Sequence, residues 1–377
     1  MLFAKRDSVS GSALRRRGTL PGRLRGALLS FSCLVAALAA LAPNALAGRA
    51  AIVEYSIPTL ASEPDGITMG PDGNIWFTER WGGNKIGRLT PGGTFTEFPL
   101  PHPQSQPLAI VPGPDGNLWF TEFIGNRIGR ITTDGVLTEF ELPTPRSWPH
   151  GITPGPDGNL WFTELRIDRI GRITTDGAIT EFTIPSSFAR PALITAGPDA
   201  AIWFTEWRGN RIGRITTDGT ITEFSLPTQN SRPHGIVTGP DGNLWFTEFV
   251  NDRIGRITPS GIITEFYVPT GGSAPPFITL GADGNLWFTE YLGNKVGRIT
   301  INGDAVDFPV PTAGSRPMGI TVGPGNHLWF TERLGNNIGE VTGPLDALSA
   351  GPGATHGPVA EAPADLAHFS FFCMPDG

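Results

Sequence analysis

The chain has 377 residues, of which 50 are glycine and 36 are proline, while 10% are aromatic and 17% are charged. Glycine and proline at this frequency exclude a helical bundle or a coiled coil because both break helices, and the aromatic content argues against disorder. Without its first 47 residues the chain carries 21 basic and 34 acidic side chains, a net charge near −13 that would repel a phosphate backbone, so nucleic acid is not an expected partner.

The first element in chain order is a predicted signal peptide at residues 1–47. Basic side chains precede an apolar run at 27–42, and small residues at Ala45 and Ala47 suit the two positions that a signal peptidase reads. The run is short for a membrane-spanning helix, which favours a cleaved signal over a membrane anchor. We therefore expect a secreted or periplasmic protein that has no membrane contact after cleavage.

The middle of the chain repeats with a period of about 42 residues. Each repeat contains Trp-Phe-Thr-Glu and reads as four short strands separated by turns, for example 235–237, 243–248, 253–258 and 262–268. Seven such units predict an all-β fold, a seven-bladed β-propeller of four-stranded blades over residues 48–342. The tetrapeptide begins at Trp76, Trp119, Trp161, Trp203, Trp245, Trp287 and Trp329.

The two ends of the repeat predict how the ring closes. The seventh unit lacks its fourth strand, and a matching segment stands before the first unit at residues 52–57. We expect this N-terminal strand to complete the last blade, which leaves no free edge and favours a monomer. The Ala-, Gly- and Pro-rich remainder at 343–377 is predicted to be a flexible tail.

Residues that occur in every blade are most simply explained by the blade itself. The repeated tryptophan is predicted core, and the aspartate of the Gly-Pro-Asp-Gly turn is predicted to serve that turn. The glutamate that ends each Trp-Phe-Thr-Glu is in six blades followed five or six residues later by Lys or Arg, which predicts a cross-strand ion pair. These glutamates are Glu79, Glu122, Glu164, Glu206, Glu248, Glu290 and Glu332.

Function is expected where the blades differ at a common position. A triplet centred on proline opens the innermost strand of each unit, and its third residue varies around the ring. We expect Asp65, His150 and His234, which occupy this position, to face one central funnel. A histidine there suits a general base or a metal ligand, and the alternative is a channel-lining histidine bonded to water or to a backbone carbonyl.

The repeats Arg-Pro-His-Gly-Ile, Leu-Trp-Phe-Thr-Glu and Ile-Thr-Glu-Phe resemble those of the virginiamycin B lyases, also called streptogramin lyases, over residues 51–342. The resemblance implies a metal-dependent propeller that linearises a cyclic depsipeptide ester by elimination. In that reaction a histidine takes the α-proton and Mg²⁺ polarises the ester. The implied partner is therefore a small cyclic peptide or ester.

Carried over residue by residue, the resemblance implies His234 and His150 as catalytic residues and Glu248 and Glu164 as metal ligands. Each glutamate stands 14 residues after its histidine, as in the family motif. Trp148 stands where that motif has the glutamate of a Glu-Pro-His triplet. An alternative Mg²⁺ site consists of the carboxylates Glu63, Asp65 and Glu79, since Mg²⁺ prefers oxygen ligands.

Two other functions remain open at the level of sequence. One is a noncatalytic exported propeller that binds a ligand or a protein on a rigid face, which the incomplete family motif favours. The other is a lactone or ester hydrolase in which a metal activates water. Hydrolysis adds one water to the product and elimination does not, so product mass separates these two reactions.

Overall fold

The computed structural model describes residues 51–343, which form seven antiparallel sheets of four strands each. The inner strands of successive sheets contact one another, and the first sheet contacts the last, so the sheets close into a ring. This arrangement confirms the predicted all-β, seven-bladed propeller. The predicted signal peptide at 1–47 and residues 344–377 of the predicted tail lie outside the described residues. Within 51–343, no helix is long and apolar enough to cross a membrane.

Each blade runs from an inner strand at the axis to an outer strand at the rim. Blade 1 comprises β2 (Pro64–Met69), β3 (Ile75–Glu79), β4 (Lys85–Leu89) and β5 (Phe95–Pro99). Blade 2 comprises β6 (Pro107–Pro112), β7 (Leu118–Glu122), β8 (Arg127–Ile131) and β9 (Leu137–Glu141). Blade 3 comprises β10 (Pro149–Pro154), β11 (Leu160–Glu164), β12 (Arg169–Ile173) and β13 (Ile179–Thr183).

The remaining blades follow the same order. Blade 4 comprises β14 (Pro191–Ala196), β15 (Ile202–Glu206), β16 (Arg211–Ile215) and β17 (Ile221–Ser225). Blade 5 comprises β18 (Pro233–Thr238), β19 (Leu244–Glu248), β20 (Arg253–Ile257) and β21 (Ile263–Tyr267). Blade 6 comprises β22 (Ile278–Leu280), β23 (Leu286–Glu290), β24 (Lys295–Ile299) and β25 (Ala305–Pro309). Blade 7 comprises β26 (Pro317–Val322), a 3₁₀ turn (Pro324–Asn326), β27 (Leu328–Glu332), β28 (Asn337–Thr342) and β1 (Ala51–Ser56).

The Trp-Phe-Thr-Glu strand is buried on both faces, because a blade packs against it on either side. Trp76 packs with Ile110 and Leu118 of the following blade, whereas Phe77 packs with Trp329 of the preceding one. The alternation of side chains along a strand explains this division. The turn aspartate accepts a hydrogen bond from the tryptophan indole, 2.9 Å for Trp76 to Asp72, which confirms the structural role of both residues.

A ring of threonine hydroxyls joins neighbouring blades around the axis. Thr163 Oγ1 accepts from Gly151 N at 2.9 Å in its own blade and donates to Ala192 O at 2.6 Å in the next. All seven threonines of the tetrapeptide donate to the following blade in this way, and in blade 7 Thr331 donates to Asp65 O of blade 1 at 2.7 Å. The third residue of each triplet is thereby held at the axis.

The N-terminal strand closes the ring as predicted. β1 pairs antiparallel with β28 from Ala51↔Thr342 to Ser56↔Asn337 and is the outer strand of blade 7. Glu54 accepts hydrogen bonds from the backbone and the hydroxyl of Thr312, both at 2.8 Å. The outer-strand glutamate of blade 3, Glu181, makes the same pair of bonds, so β1 reproduces the role of an ordinary fourth strand.

The predicted ion pairs of the repeated glutamates are wrong for most blades. Within residues 51–343 only Glu206 forms one, at 3.5 Å from Arg211. The other third-strand cations pair with outer-strand carboxylates instead, as Lys85 does with Glu97 at 2.7 Å. The physical reason is depth: each repeated glutamate is fully buried, whereas the outer-strand carboxylate lets the cation remain partly solvated.

Candidate active site

The site lies at the axis, where the seven inner strands begin. The first residue of every triplet has a left-handed backbone, with φ between 49° and 58°. This turn carries the chain from the surface loop into the inner strand and allows the third residue to be buried beside the axis. The seven left-handed residues are Glu63, Gln106, Trp148, Arg190, Arg232, Ala274 and Arg316.

The channel below this position is narrow and apolar. A cavity of about 140 Å³ runs among the inner strands, lined by one isoleucine from each blade together with Phe277 and Leu193. It is too small for a cyclic peptide, since pockets for drug-sized ligands occupy about 300–1,000 Å³. A ligand of that size would lie outside this cavity.

His150 and His234 meet at the axis, although one complete blade separates them along the chain. Their ring centroids are 5.4 Å apart and the rings are nearly perpendicular. The Nδ1 atom of His150 lies 3.2 Å from Ala192 O, and that of His234 lies 2.8 Å from Pro276 O. Because a carbonyl can only accept, each Nδ1 carries the proton and each Nε2 carries the lone pair.

Aromatic side chains surround the two histidines. Trp207 and Phe277 contact His234 at centroid distances of 5.4 and 5.6 Å, and Phe123 contacts His150 at 6.1 Å. Burial lowers the pKa of His234 to about 4. Burial, His234 and the charge of Arg80 hold the pKa of His150 well below its usual value. Both rings are therefore neutral at pH 7 and able to accept a proton.

The third predicted funnel residue, Asp65, is also buried at the axis, where it belongs to an ionic cluster. Its Oδ2 lies 3.8 Å from Nη1 of the buried Arg80. Glu63 accepts two hydrogen bonds from Arg333, at 3.0 and 3.1 Å. The face is thus divided into an aromatic, histidine-containing half on blades 2–6 and a charged half on blades 7 and 1.

Glu164 and Glu248 are fully buried at the ends of β11 and β19, like the other five glutamates of the repeat. Their strand partners are Pro149 and Pro233, the residues immediately before the two histidines. Burial raises the pKa of each carboxyl to about 7. No hydrogen bond or ion pair joins either glutamate to His150 or His234 within the described part of the chain.

The donor set does not fit Mg²⁺. Hard cations of this kind need several oxygen ligands around one point. Between residues 51 and 343, no group of three or more His, Cys, Asp or Glu side chains is placed to hold a metal ion. In the alternative set, Glu63 is bound to Arg333, Asp65 lies beside Arg80, and Glu79 is buried at the end of its own strand.

One set of site residues was missed by the sequence analysis. The residue directly after each Trp-Phe-Thr-Glu also lies on the ring face, and it varies as much as the triplet does. Two adjacent blades place an arginine there and the other five an apolar or aromatic side chain. Variation at this position can be read from the repeat. The seven residues are Arg80, Phe123, Leu165, Trp207, Phe249, Tyr291 and Arg333.

Comparison with known proteins identifies relatives of this ring and its face. The model of the virginiamycin B lyase family matches residues 45–243 and 189–346. A solved streptogramin B lyase is 41% identical, with a TM-score of 0.75 over 78% of this chain and 98% of its own. Selenomethionine-substituted virginiamycin B lyase from Staphylococcus aureus is 44% identical, with a TM-score of 0.75 over 78% of this chain and 99% of its own.

A third solved structure is a catalytically inactive His-to-Ala variant of the S. aureus enzyme with quinupristin, 43% identical over 78% of this chain and 99% of that one, with a TM-score of 0.75. No protein of curated function matches the chain. A family match over most of the chain, together with identities above 40% along nearly the full length of the solved enzymes, shows that the chain belongs to the virginiamycin B lyase family.

Proposed function

We propose that this protein is a streptogramin lyase-like enzyme that opens a cyclic depsipeptide by elimination at its ester. The observation that carries the proposal is the pair of neutral histidines at the axis of a ring whose relatives are streptogramin lyases. The inactive relative with quinupristin also carries alanine in place of a histidine. The substrate class is therefore a streptogramin B-type cyclic peptide.

His234 is the proposed base. Its Nδ1–H is held by Pro276 O, so Nε2 presents a lone pair, and Trp207 and Phe277 limit the access of water to the ring. Nε2 takes the α-proton of the residue whose side-chain oxygen forms the ester. The C–H electron pair becomes a C=C bond, and the ester C–O bond breaks toward oxygen, releasing a carboxylate on the same opened chain. His150 orients the substrate beside the base.

The test is mass spectrometry of quinupristin incubated with the purified protein. Elimination yields a ring-opened product of unchanged mass, and His234→Ala is expected to lower the rate by at least ~100-fold. His327→Ala, at a half-buried histidine bonded to Glu340 in blade 7, is the matched control and is expected to turn over normally. A product heavier by one water would show that the reaction is hydrolysis and not elimination. An intact substrate would favour a binding propeller.

Mg²⁺ remains a prediction of the family resemblance, and no step above is assigned to it. Loss of turnover in EDTA that added Mg²⁺ restores would support the metal. Turnover that is unchanged in EDTA would remove the metal from the proposal. Export is likewise a proposal, which rests on residues 1–47. Detection of the protein outside the cytoplasm, and its retention inside when those residues are deleted, would support it.

A further inference from the structure

Arginines cluster on the ring face around blades 3–5. Five loops reach the face there, at 142–148, 165–168, 184–190, 207–210 and 226–232, and together they contain five arginines and one acidic residue. The whole of 51–343 carries 20 basic and 30 acidic side chains, so this positive surface is opposite in sign to the rest of the protein. Its arginines are Arg146, Arg166, Arg190, Arg208 and Arg232, of which Arg190 is half-buried and the other four are exposed.

Arg232 is connected to the proposed base by one aromatic ring. Its guanidinium carbon lies 5.6 Å from the centroid of Trp207, and the ring of Trp207 lies 5.4 Å from that of His234. Trp207 and His234 are buried, whereas Arg232 is exposed. The stack therefore leads from the axis of the ring to the solvent, and a ligand held by Arg232 would lie close to the base.

A second stack of this kind stands on blade 3. The guanidinium carbon of Arg166 lies 4.7 Å from the centroid of Trp148, which packs on Phe123 at 5.4 Å. Phe123 in turn contacts His150 at 6.1 Å. Arg190 is the first residue of the triplet on blade 4 and so stands between the two stacks. Each histidine thus has an arginine above it, with a third arginine between them.

The three guanidinium groups of Arg166, Arg190 and Arg232, here called the arginine arc, keep their hydrogen-bond donors for a ligand. None of them forms a side-chain hydrogen bond or an ion pair with any residue in 51–343. Stacking on an aromatic ring uses the face of a guanidinium, whereas its N–H groups point outward in its plane. The arc therefore offers several donors and three positive charges at the margin of the site.

The acidic residues nearest to the arc are occupied by the backbone. Asp168 accepts hydrogen bonds from the amides of Phe188 and Arg190, both at 2.8 Å. Asp252, on the next loop of blade 5, accepts in the same way from the amides of Gly272 and Ala274. Both carboxylates thus serve to shape loops, and neither neutralises a guanidinium of the arc.

We infer that the arginine arc recognises a carboxylate that the substrate carries outside the reacting ester. The inference rests on the proposed function and narrows its substrate class to anionic cyclic depsipeptides, for example one with an aspartate or glutamate side chain. A guanidinium binds a carboxylate through two parallel hydrogen bonds, which fix orientation as well as position. A carboxylate held on blades 3–5 would therefore orient the ring of the substrate over His234.

The first arm of the test measures turnover of paired synthetic cyclic depsipeptides. The two members of a pair differ only in having glutamate or glutamine at one position, and each position outside the ester is substituted in turn. For at least one pair, KM is expected to be at least ~10-fold lower for the glutamate member, because charged hydrogen bonds are the stronger ones. The two kcat values are expected to be alike, since this contact is the same before and during the reaction.

Single substitutions then assign that preference to the arc. Arg166→Gln, Arg190→Gln and Arg232→Gln are each expected to raise KM for the glutamate member by about 2–10-fold and to leave the glutamine member unchanged. A merely structural role would affect both members equally. Arg316→Gln is the matched control, because Arg316 has the same triplet position and stacks on Tyr291 at 5.1 Å, but it stands on blade 7. It is expected to change neither KM.

The second arm measures carboxylate binding without turnover. N-acetylglutamate is titrated into protein labelled with ¹⁵N-arginine, and the side-chain Nε–H signals are followed by NMR. The single variants assign the signals of the arc. These signals are expected to shift with N-acetylglutamate but not with the neutral N-acetylglutaminamide, and the signal of Arg316 is expected to stay in place.

The two arms distinguish the failure of the inference from the failure of the function. Turnover with equal KM for both members of every pair, or an equal loss of both in the folded variants, would overturn the arc and leave the lyase intact. Specific shifts of the arc signals in a protein that opens none of the depsipeptides would support the carboxylate site and overturn the lyase. Absence of both turnover and shifts would overturn both.

Discussion

Burial sets the protonation state of the histidines on the ring face. Since the pKa of His234 is lowered to about 4, its neutral form predominates from about pH 5 upward. We predict that kcat/KM rises with pH around 4 and is level between pH 5 and 7, as expected for a base that must be unprotonated. Initial rates from pH 3.5 to 7, with circular dichroism to confirm folding, test this. A rise centred near pH 6.5 would contradict it.

The seven buried glutamates make the stability of the protein depend on pH. Burial raises the pKa of Glu290 to about 8, so the folded protein holds a proton that the unfolded chain releases near pH 4.5. This contribution is complete below pH 4.5 and is lost as pH rises through 8. We predict that Tm falls by several degrees from pH 5 to pH 8, since about 1 kcal/mol corresponds to roughly 2–4 °C in a domain of this size.

Glu290→Gln is expected to reduce that pH-dependent fall in Tm, because glutamine imitates the protonated acid. Glu141→Gln, at a carboxylate that is 81% exposed, is the control and should leave the slope unchanged. Thermal melts of the three proteins at both pH values make the comparison. Equal slopes for wild type and Glu290→Gln would show that this carboxyl is ionised in the folded state.

The sequence predicts some of the residues at the axis and not others. The repeat was enough to predict that His150, His234 and Asp65 lie at the axis, because pseudo-equivalent positions of a closed ring must surround its centre. It did not reveal that Arg80 lies there too, since strand alternation alone does not show which side chain extends from the end of β3 onto the face. The prediction of ion pairs for the repeated glutamates was wrong for most blades because residue spacing does not show how deeply a side chain is buried.

At the scale of the element, the threonine of the tetrapeptide links two blades through one hydroxyl. Thr163→Val keeps the shape of the side chain but leaves Gly151 N and Ala192 O without this partner. Because Ala192 O still accepts from His150, only Gly151 N is left unsatisfied, and we predict a loss of about 1–3 kcal/mol in the free energy of unfolding. Urea denaturation measures it. Thr180→Val, at an exposed position of the same blade, is expected to stay within about 0.5 kcal/mol of wild type.

Blade 6 shows how proline alters an element. Its inner strand, β22, has three residues where the other inner strands have six, and Pro276, which lacks an N–H group, stands where the other blades have a residue that has one. The carbonyl of Pro276 accepts from His234 and from Thr247, as the carbonyl of Ala192 in blade 4 accepts from His150 and Thr163. The repeat predicts an inner strand here. It does not predict that the carbonyl of Pro276 orients His234, because the spacing of motifs does not show where a side chain points.

At the scale of the whole molecule, closure depends on β1. Deleting residues 51–56 would expose the edge of β28 and remove the bonds between Glu54 and Thr312. We predict that the shortened protein self-associates or unfolds without cooperativity, as free strand edges promote. Size-exclusion chromatography and thermal melts test this, with Val53→Thr at a partly exposed β1 position as the control. A monodisperse deletion variant with an unchanged melt would show that closure is dispensable.

The large-scale architecture was the most predictable property of this chain. Seven copies of one tetrapeptide specify the number of blades, and a missing strand at one end matched by an extra one at the other specifies the closure. Both features can be counted along the sequence. Because the fold is a closed ring, the number of repeats gives the number of blades, and the displaced strand shows where the ring closes. The division of the face into a charged half and an aromatic half depends on single residues that break the repeat.

The hydroxyl ring around the axis runs in one direction, each threonine donating forward to the next blade. The link from Thr331 to Asp65 crosses from the last blade to the first with the same atoms as the other six. This ring of hydrogen bonds is therefore continuous, and it does not show between which blades the chain begins and ends. Its termini could have fallen between any two blades, and a circularly permuted gene that starts elsewhere in the repeat would encode the same inner circle of bonds.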